Sequence, residues 1–529
     1  MLDLKLREEF RGRRLKGTAI ELDTAKKMAA TEFLEITYPS GDVLKSIEAV
    51  GPSQGRPLVM IGERGQGKSH LMAVLDHAFN EPDATRSWLS EWSERLANPQ
   101  IAALPLRDSM CVISESLHKQ SYKFLWDLLF DRHPHGAHVR GMWMGQGDKQ
   151  TDVPGEKLLL ELFRHTPCAL ILDEYQTWFD GLSQTKRTPY RNWAFNFVQI
   201  LSEIAKEHPE LLVLVVSVRN GSTDAFQQIQ RVSPILVDFK GPTAKRDRQR
   251  LLLHRLFENR IQVPADQIST LTEAHVSEYL RLAEIPPSEH ERTKQDFAET
   301  WPFAPHLMQL LEDHVLVATA AQETRDLIRI LAQLYKKHGQ AKPLITAADF
   351  RIEDDASGIT ALIDSVANQH HQKLREKAQR NLEAVRDAVK DADQTVPHLE
   401  EIIGALWLRS LVAENLAGAV PQVLHIDITR DKPVDDNAFE AELAAIVENS
   451  FNIHQDGDRL IFREEENPQA RLIASARNDK LFDEAVVLVL GVRSVVRERP
   501  ELAGSQGLHG AHELVRGRRR ARECPELHV

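Results

Sequence analysis

Unbroken apolar runs, not alternating ones, punctuate the first half of the chain. They fall at 57–61, 110–114, 168–172, 211–218 and 234–239. A run without alternation suits a strand buried on both faces, as in a parallel sheet. Between the runs lie helical patterns at 69–79, 122–130 and 193–208, the last with Phe197, Leu201, Ile204 and Ala205 at helical spacing. Strands alternating with helices predict an α/β core over 51–242, a three-layer α/β/α sheet whose ligand sits at the strands' carboxyl ends. Residues 1–50 read as a lead-in of mixed helix and turn. Residues 243–345 are mostly helical, with Leu327, Ile330, Leu331 and Leu334 on one face, and are placed to act as a lid. A charged helix with few large apolar residues, within 346–393, reads as a bridge between domains. Over 394–482 helices precede a hairpin signal around Asp456-Gly457-Asp458, which is the pattern of a winged-helix-like domain. The tail, 483–529, loses periodicity and reads as a chain cut short or ending out of register.

One motif changes this picture from architecture to chemistry. Gly62-Glu63-Arg64-Gly65-Gln66-Gly67-Lys68-Ser69 follows the first apolar run and opens a helical segment, the context that a phosphate-binding glycine loop requires. Its glycines let backbone N–H groups wrap a phosphate, and the helix N-terminus adds partial positive charge. Lys68 is expected at the β and γ phosphates, and the Ser69 hydroxyl on Mg2+. The run 168–172 ends in Asp173 and Glu174. Asp173 at the sheet's carboxyl edge suits a magnesium ligand, direct or through water, and Glu174 a general base for the attacking water. The run 211–218 carries Ser217 near its end and is followed by Arg219 and Asn220; Ser217 is the expected sensor of the γ-phosphate, with Asn220 next. Both also fit an ordinary strand end entering a turn.

Composition narrows the alternatives. Of 529 residues, 27% are charged and 42% hydrophobic, as in an ordinary globular protein. The three cysteines Cys111, Cys168 and Cys524 are too few and scattered for a disulfide framework. The charged start has no signal-peptide core, and no run approaches membrane-spanning length, so a cytoplasmic protein without a membrane partner is expected. A net charge of −12 argues against a passive nucleic-acid coat but not against local DNA contact, for which the winged-helix-like domain is the candidate; of the basic stretches, 245–250 reads most simply as a solvated helix face, and 516–522 is short and terminal. His133, His135 and His138, in an expected loop, invite a metal reading that lacks a supporting Cys or carboxylate cluster.

With these elements in order the chain resembles an AAA+ ATPase. Finer matches resemble a bacterial ATPase family of anti-phage islands, the ATPases of phage-exclusion (BREX) and phage-growth-limitation systems. They are the loop from Glu63 through His70, Leu172-Asp173-Glu174-Tyr175, Trp301-Pro302-Phe303-Ala304-Pro305-His306-Leu307, Glu323-Thr324-Arg325-Asp326-Leu327, Pro343-Leu344-Ile345-Thr346-Ala347-Ala348-Asp349 and Arg463-Glu464-Glu465-Glu466-Asn467-Pro468. The resemblance implies a P-loop AAA+ core with helical lid, ATP as nucleotide and assembly into a homo-oligomer. It also implies action beside other defence-system proteins. An arginine from a neighbouring subunit is then expected near the γ-phosphate, with Arg231 first choice and Arg219 second; Arg325 is the expected lid contact. A nucleotide-dependent switch or scaffold without turnover, and a DNA translocase, are the alternatives.

Overall fold

The computed structural model describes residues 2–12, 21–63, 65–108, 110–119, 122–144, 153–185, 189–239, 241–316, 323–366, 369–412, 416–470 and 472. Arg64, the side chain of Arg325 and the whole of 483–529, with its basic stretch and Cys524, lie outside the described residues. The chain divides into two compact units, Leu4–Val263 with Gln322–Ile328, and Met1–Asp3 with Pro264–Ala321 and Arg329–Val529.

The first unit is α/β. Its strands are β1 (Leu58–Ile61), β2 (Cys111–Ser116), β3 (Cys168–Asp173), β4 (Leu212–Val218) and β5 (Ile235–Val237). They form one parallel sheet in the order β2-β3-β4-β1-β5. β3 and β4, both interior strands, are buried at every position, which is why their sequences do not alternate. Leu58, Met60, Ile171 and Val215 share one core with the helices Gly41–Ala49, Lys68–Asn80 and Pro82–Arg95. Val59, Leu170, Leu172 and Val216 share the opposite core with Leu125–Arg132, Glu156–His165 and Tyr190–Glu207. Helices therefore cover both faces.

Where the chain leaves each strand decides where a ligand can sit. The helix after β1 joins the first core through Leu71, Met72 and Val74. The helices after β3 and β4, Tyr175–Asp180 and Asp224–Gln230, join the second through Phe179, Phe226 and Ile229. Neighbouring strands β1 and β4 thus send their connections to opposite faces, and such a reversal opens a crevice at the carboxyl ends. The helix Gly241–Leu256 also belongs to this unit, with Leu252, Leu256 and Phe257 buried, so 243–263 group with the sheet unit.

The second unit is helical with one hairpin, β6 (Ile453–Asp456) and β7 (Arg459–Phe462). Its central helix Leu399–Ser410 buries Ile402, Leu406 and Trp407 completely. The helices Pro421–Ile428 and Asp436–Glu448 follow, and an antiparallel bridge from Ala419 to Leu460 ties the hairpin back to the connection before them. The helix Gln369–Ala388, expected to bridge domains, packs inside this unit. Leu374, Ala378, Leu382 and Val385 form a fully buried stripe that its many charges conceal in the sequence.

Two buried aspartates hold the second unit's interior. Asp427 pairs with Arg409 at 2.7 Å, and its other oxygen lies 3.2 Å from His306 Nε2. Asp349 takes Lys342 at 2.6 Å and Arg430 at 3.1 Å. Burial pushes the Asp349 carboxyl up, but the two cations outweigh it and hold it down at about 2. Among the described residues no helix is long and apolar enough to cross a membrane.

Candidate functional site

The loop between β1 and the helix Lys68–Asn80 is shaped by two left-handed glycines, Gly65 at φ 84° and Gly67 at φ 98°. An L side chain at either would be strained, so this turn needs glycine. Gly62 is buried beneath Gln66, and a Cβ there would meet Gln66 Oε1 at 2.3 Å. Among the described residues that oxygen is buried without a hydrogen-bond partner, an orphaned polar atom inside the loop. Lys68 opens the helix and turns back under the loop, its Nζ donating to Gly62 O at 2.6 Å and Glu63 O at 2.7 Å. Burial pulls its pKa down, against the pull of Asp173, Glu174 and Glu63 in the other direction.

The next residue links the loop to the sheet. Ser69 Oγ donates to Asp173 Oδ2 at 2.5 Å, across 104 positions of sequence. Asp173 ends β3, and the strand between it and the loop, β4, delivers Ser217 into the gap. The Ser217 hydroxyl donates to Asp173 Oδ1 at 2.7 Å and accepts from Glu174 N at 2.8 Å. Glu174 N also donates to Asp173 Oδ1, at 2.9 Å. Ser69, Asp173 and Ser217 are thus one hydrogen-bonded group on the carboxyl edge, and Lys68 precedes Ser69 in the chain with its Nζ held by the loop carbonyls. Ser217 was expected to face a phosphate; its hydroxyl is committed to orienting the two acidic residues.

Glu174 sits in the left-handed region, φ 53° and ψ 33°, a conformation a glutamate adopts only under local constraint. Its carboxylate accepts from Thr177 Oγ1 at 2.6 Å, and the Arg219 guanidinium stands 3.6 Å away. Arg219 also donates to Thr177 Oγ1 at 3.0 Å, so the three side chains form a closed triangle. Gln176 Oε1 accepts from the backbone N–H groups of Arg219 and Asn220, fastening the end of β4 to the helix Tyr175–Asp180. Sequence reasoning missed Thr177 and Gln176. Their positions two and three residues past the acidic pair were the only available signal.

Several expected residues lie elsewhere. Arg219, the second choice for a finger reaching another subunit, faces its own chain's Glu174. Asn220 caps its own turn, its Oδ1 accepting from Ser222 N and Oγ. His70 points away from the loop, bonded to Thr37 Oγ1 at 3.0 Å and leaning on Phe33. Burial, then the nearby Arg255 charge, drives its pKa down to about 3, so it is neutral at physiological pH. Glu63 is exposed. Arg231 is exposed on the connection leading into the amino end of β5. Arg325 belongs to the segment Gln322–Ile328, which groups with the sheet unit.

The histidine segment is not a loop throughout, since Gly136–Met144 is helical. His133 Nε2 is bonded to Thr166 O and His135 stacks on His165 with centroids 3.9 Å apart. Among the described residues no group of three or more His, Cys, Asp or Glu side chains is arranged to hold a metal ion.

Basic side chains of the hairpin are already engaged. Arg459 donates to the carbonyls of Leu416, Ala417 and Gly418, and Arg463 to Asp456. The neighbouring helix Asp436–Glu448 carries Asp436, Glu440, Glu442 and Glu448 and no lysine or arginine. No protein-family model matches the chain, and no curated protein matches it.

Proposed function

We propose that the chain is an ATP-binding AAA+ ATPase that splits ATP to ADP and phosphate to drive a conformational change. The observation that carries this reading is the contact of Ser69 with Asp173, which brings a glycine loop and an acidic strand end to one point. The residues fit a magnesium nucleotide. Gly65 and Gly67 supply the turn, Lys68 a buried cation, and Ser69 and Asp173 two oxygens for the metal. Bound Mg2+ supplies charge neutralisation at the phosphates. Ser217 fixes the carboxylate of Asp173 and the backbone of Glu174. Glu174, whose carboxylate now contacts Thr177 and Arg219, is the base that orients and deprotonates the attacking water.

The helices and hairpin of the second unit support a winged-helix-like module, and the resemblance of the motifs supports a homo-oligomer acting in a bacterial anti-phage complex. DNA contact through this module, or a translocase, is disfavoured by its acidic helix and by arginines spent on its own carbonyls. A second reading has a specific observation behind it. The hold of Thr177 and Arg219 on Glu174 suits a nucleotide-dependent switch that turns over little until a partner releases it.

The test uses the full chain. Lys68→Ala abolishes binding of labelled ATP, whereas Glu174→Gln binds ATP and loses phosphate release. Undiminished ATP affinity in Lys68→Ala defeats the whole reading; parental turnover in Glu174→Gln defeats the base assignment alone. Steady turnover of the parent without any partner rejects the switch.

A further inference from the structure

The two cysteines of the sheet are register partners. Cys111 opens β2 and Cys168 opens β3, and the parallel ladder pairs them directly. Adjacent strands lie roughly 4.8 Å apart, which places paired Cα atoms inside the ~4.4–6.8 Å window that a disulfide spans. Partners in a parallel ladder point to the same side of the sheet. Accordingly both side chains meet the same apolar core, Cys168 wholly buried in it and Cys111 packed at its margin. The neighbouring Cys168 thiol lowers the pKa of Cys111, and Cys111, together with burial, raises that of Cys168.

Position within the sheet adds two conditions that a reactive pair needs. Among the described residues β2 is an edge strand that pairs in the sheet with β3 alone, so its first residue can shift without breaking a second ladder. Cys111 is also partly solvent-accessible, while its partner is sealed. One thiol is open to a small oxidant, and a resolving thiol stands beside it where solvent and bulky thiols do not reach.

We propose that Cys111 and Cys168 are a reversibly oxidisable dithiol, which a peroxide converts to an intramolecular disulfide joining β2 to β3. In the first step the Cys111 sulfur attacks one oxygen of hydrogen peroxide. The O–O bond breaks, water leaves, and Cys111 becomes a sulfenic acid. In the second the Cys168 sulfur attacks the Cys111 sulfur, the S–O bond breaks, and the oxygen departs as water with the Cys168 proton. Two thiols and one peroxide give one disulfide and two waters. The two electrons pass from the sulfurs to the peroxide.

This inference rests on strand register, the edge position of β2 and the exposure of Cys111, and stands or falls independently of the nucleotide reading. The experiment treats the reduced, folded full chain with equimolar hydrogen peroxide, blocks remaining thiols in denaturant, and maps peptides by mass spectrometry. The expected result is a linked pair of peptides containing Cys111 and Cys168, lost on dithiothreitol treatment. The Cys524→Ser variant keeps the link. Cys111→Ser abolishes it with an unchanged circular dichroism spectrum, and Cys168→Ala leaves Cys111 as a sulfenic acid trapped by dimedone. The proposal is overturned if the parent chain accumulates dimedone-trapped Cys111 without the link, or links either cysteine to Cys524 instead.

Discussion

Replacing Ser217 with alanine isolates what the sheet contributes to the acidic pair. Ser217 is 1% exposed, so no water takes the place of its hydroxyl. The substitution removes the 2.7 Å bond to Asp173 Oδ1 and the 2.8 Å acceptor of Glu174 N, and spares the 2.9 Å bond from Glu174 N to Asp173 Oδ1. A hydrogen bond to a charged group is worth about 1.5–3 kcal/mol, and this sets the expected loss of folding stability in urea. A residue that orients a metal ligand without touching the metal costs about 10–100-fold in metal affinity or activity. Binding of a fluorescent ATP analogue, titrated with magnesium, therefore needs about 10–100-fold more magnesium in Ser217→Ala. Affinity in the presence of a chelator stays within about threefold of the parent. Ser217→Thr, which keeps the hydroxyl, restores the magnesium dependence. A magnesium titration in Ser217→Ala that overlays the parent curve refutes the orienting role.

Three further outcomes are expected. Thr177→Val combined with Arg219→Ala removes the triangle's two contacts on the Glu174 carboxylate, and phosphate release rises about three- to tenfold, or ~0.7–1.4 kcal/mol in barrier; an unchanged rate means that the triangle restrains nothing. Asp427→Ala leaves Arg409 buried without its partner and lowers stability by about 3–5 kcal/mol, read from urea unfolding of the second unit. His398 donates to Glu442 at 3.0 Å, and this bond, stronger than the opposing burial, raises its pKa. A raised folded-state pKa means that the stabilisation is complete below the histidine's ordinary pKa of about 6.5 and fades as pH climbs through the raised value. With His398 partly exposed the effect is about 1 kcal/mol or less, so the melting temperature of the parent relative to Glu442→Gln is higher at pH 5.5 and converges by pH 8.5.

Much of the first unit was legible because its central strands cannot alternate. The runs ending in Asp173 and Ser217 are buried on both faces, so their composition alone announced a covered parallel sheet. The loop was legible for a different reason: its left-handed turns demand glycine, and those glycines are visible as letters. What failed depended on side-chain direction or strand order, which spacing does not encode. His70 follows Ser69 yet leaves the loop for Thr37, because a helix turns each successive side chain by about 100°. Arg219 turned inward because Glu174 and Thr177 sit beside it on the neighbouring strand's exit. Cys111 and Cys168 looked scattered at their separation in sequence, and only the ladder makes them neighbours. The stripe of Leu374, Ala378, Leu382 and Val385 was masked by the surrounding charges, and Gly136 and Gly141 disguised a helix as a loop.

The unusual backbone at Glu174 sets chemistry and durability against each other at a single codon. A glutamate held at φ 53° gives up about 1 kcal/mol relative to a residue at ease there. Glycine, and to a lesser degree asparagine, would relax that segment while discarding the carboxylate. A library screened only for survival on heating would therefore drift toward those two replacements, yielding hardier and inert proteins.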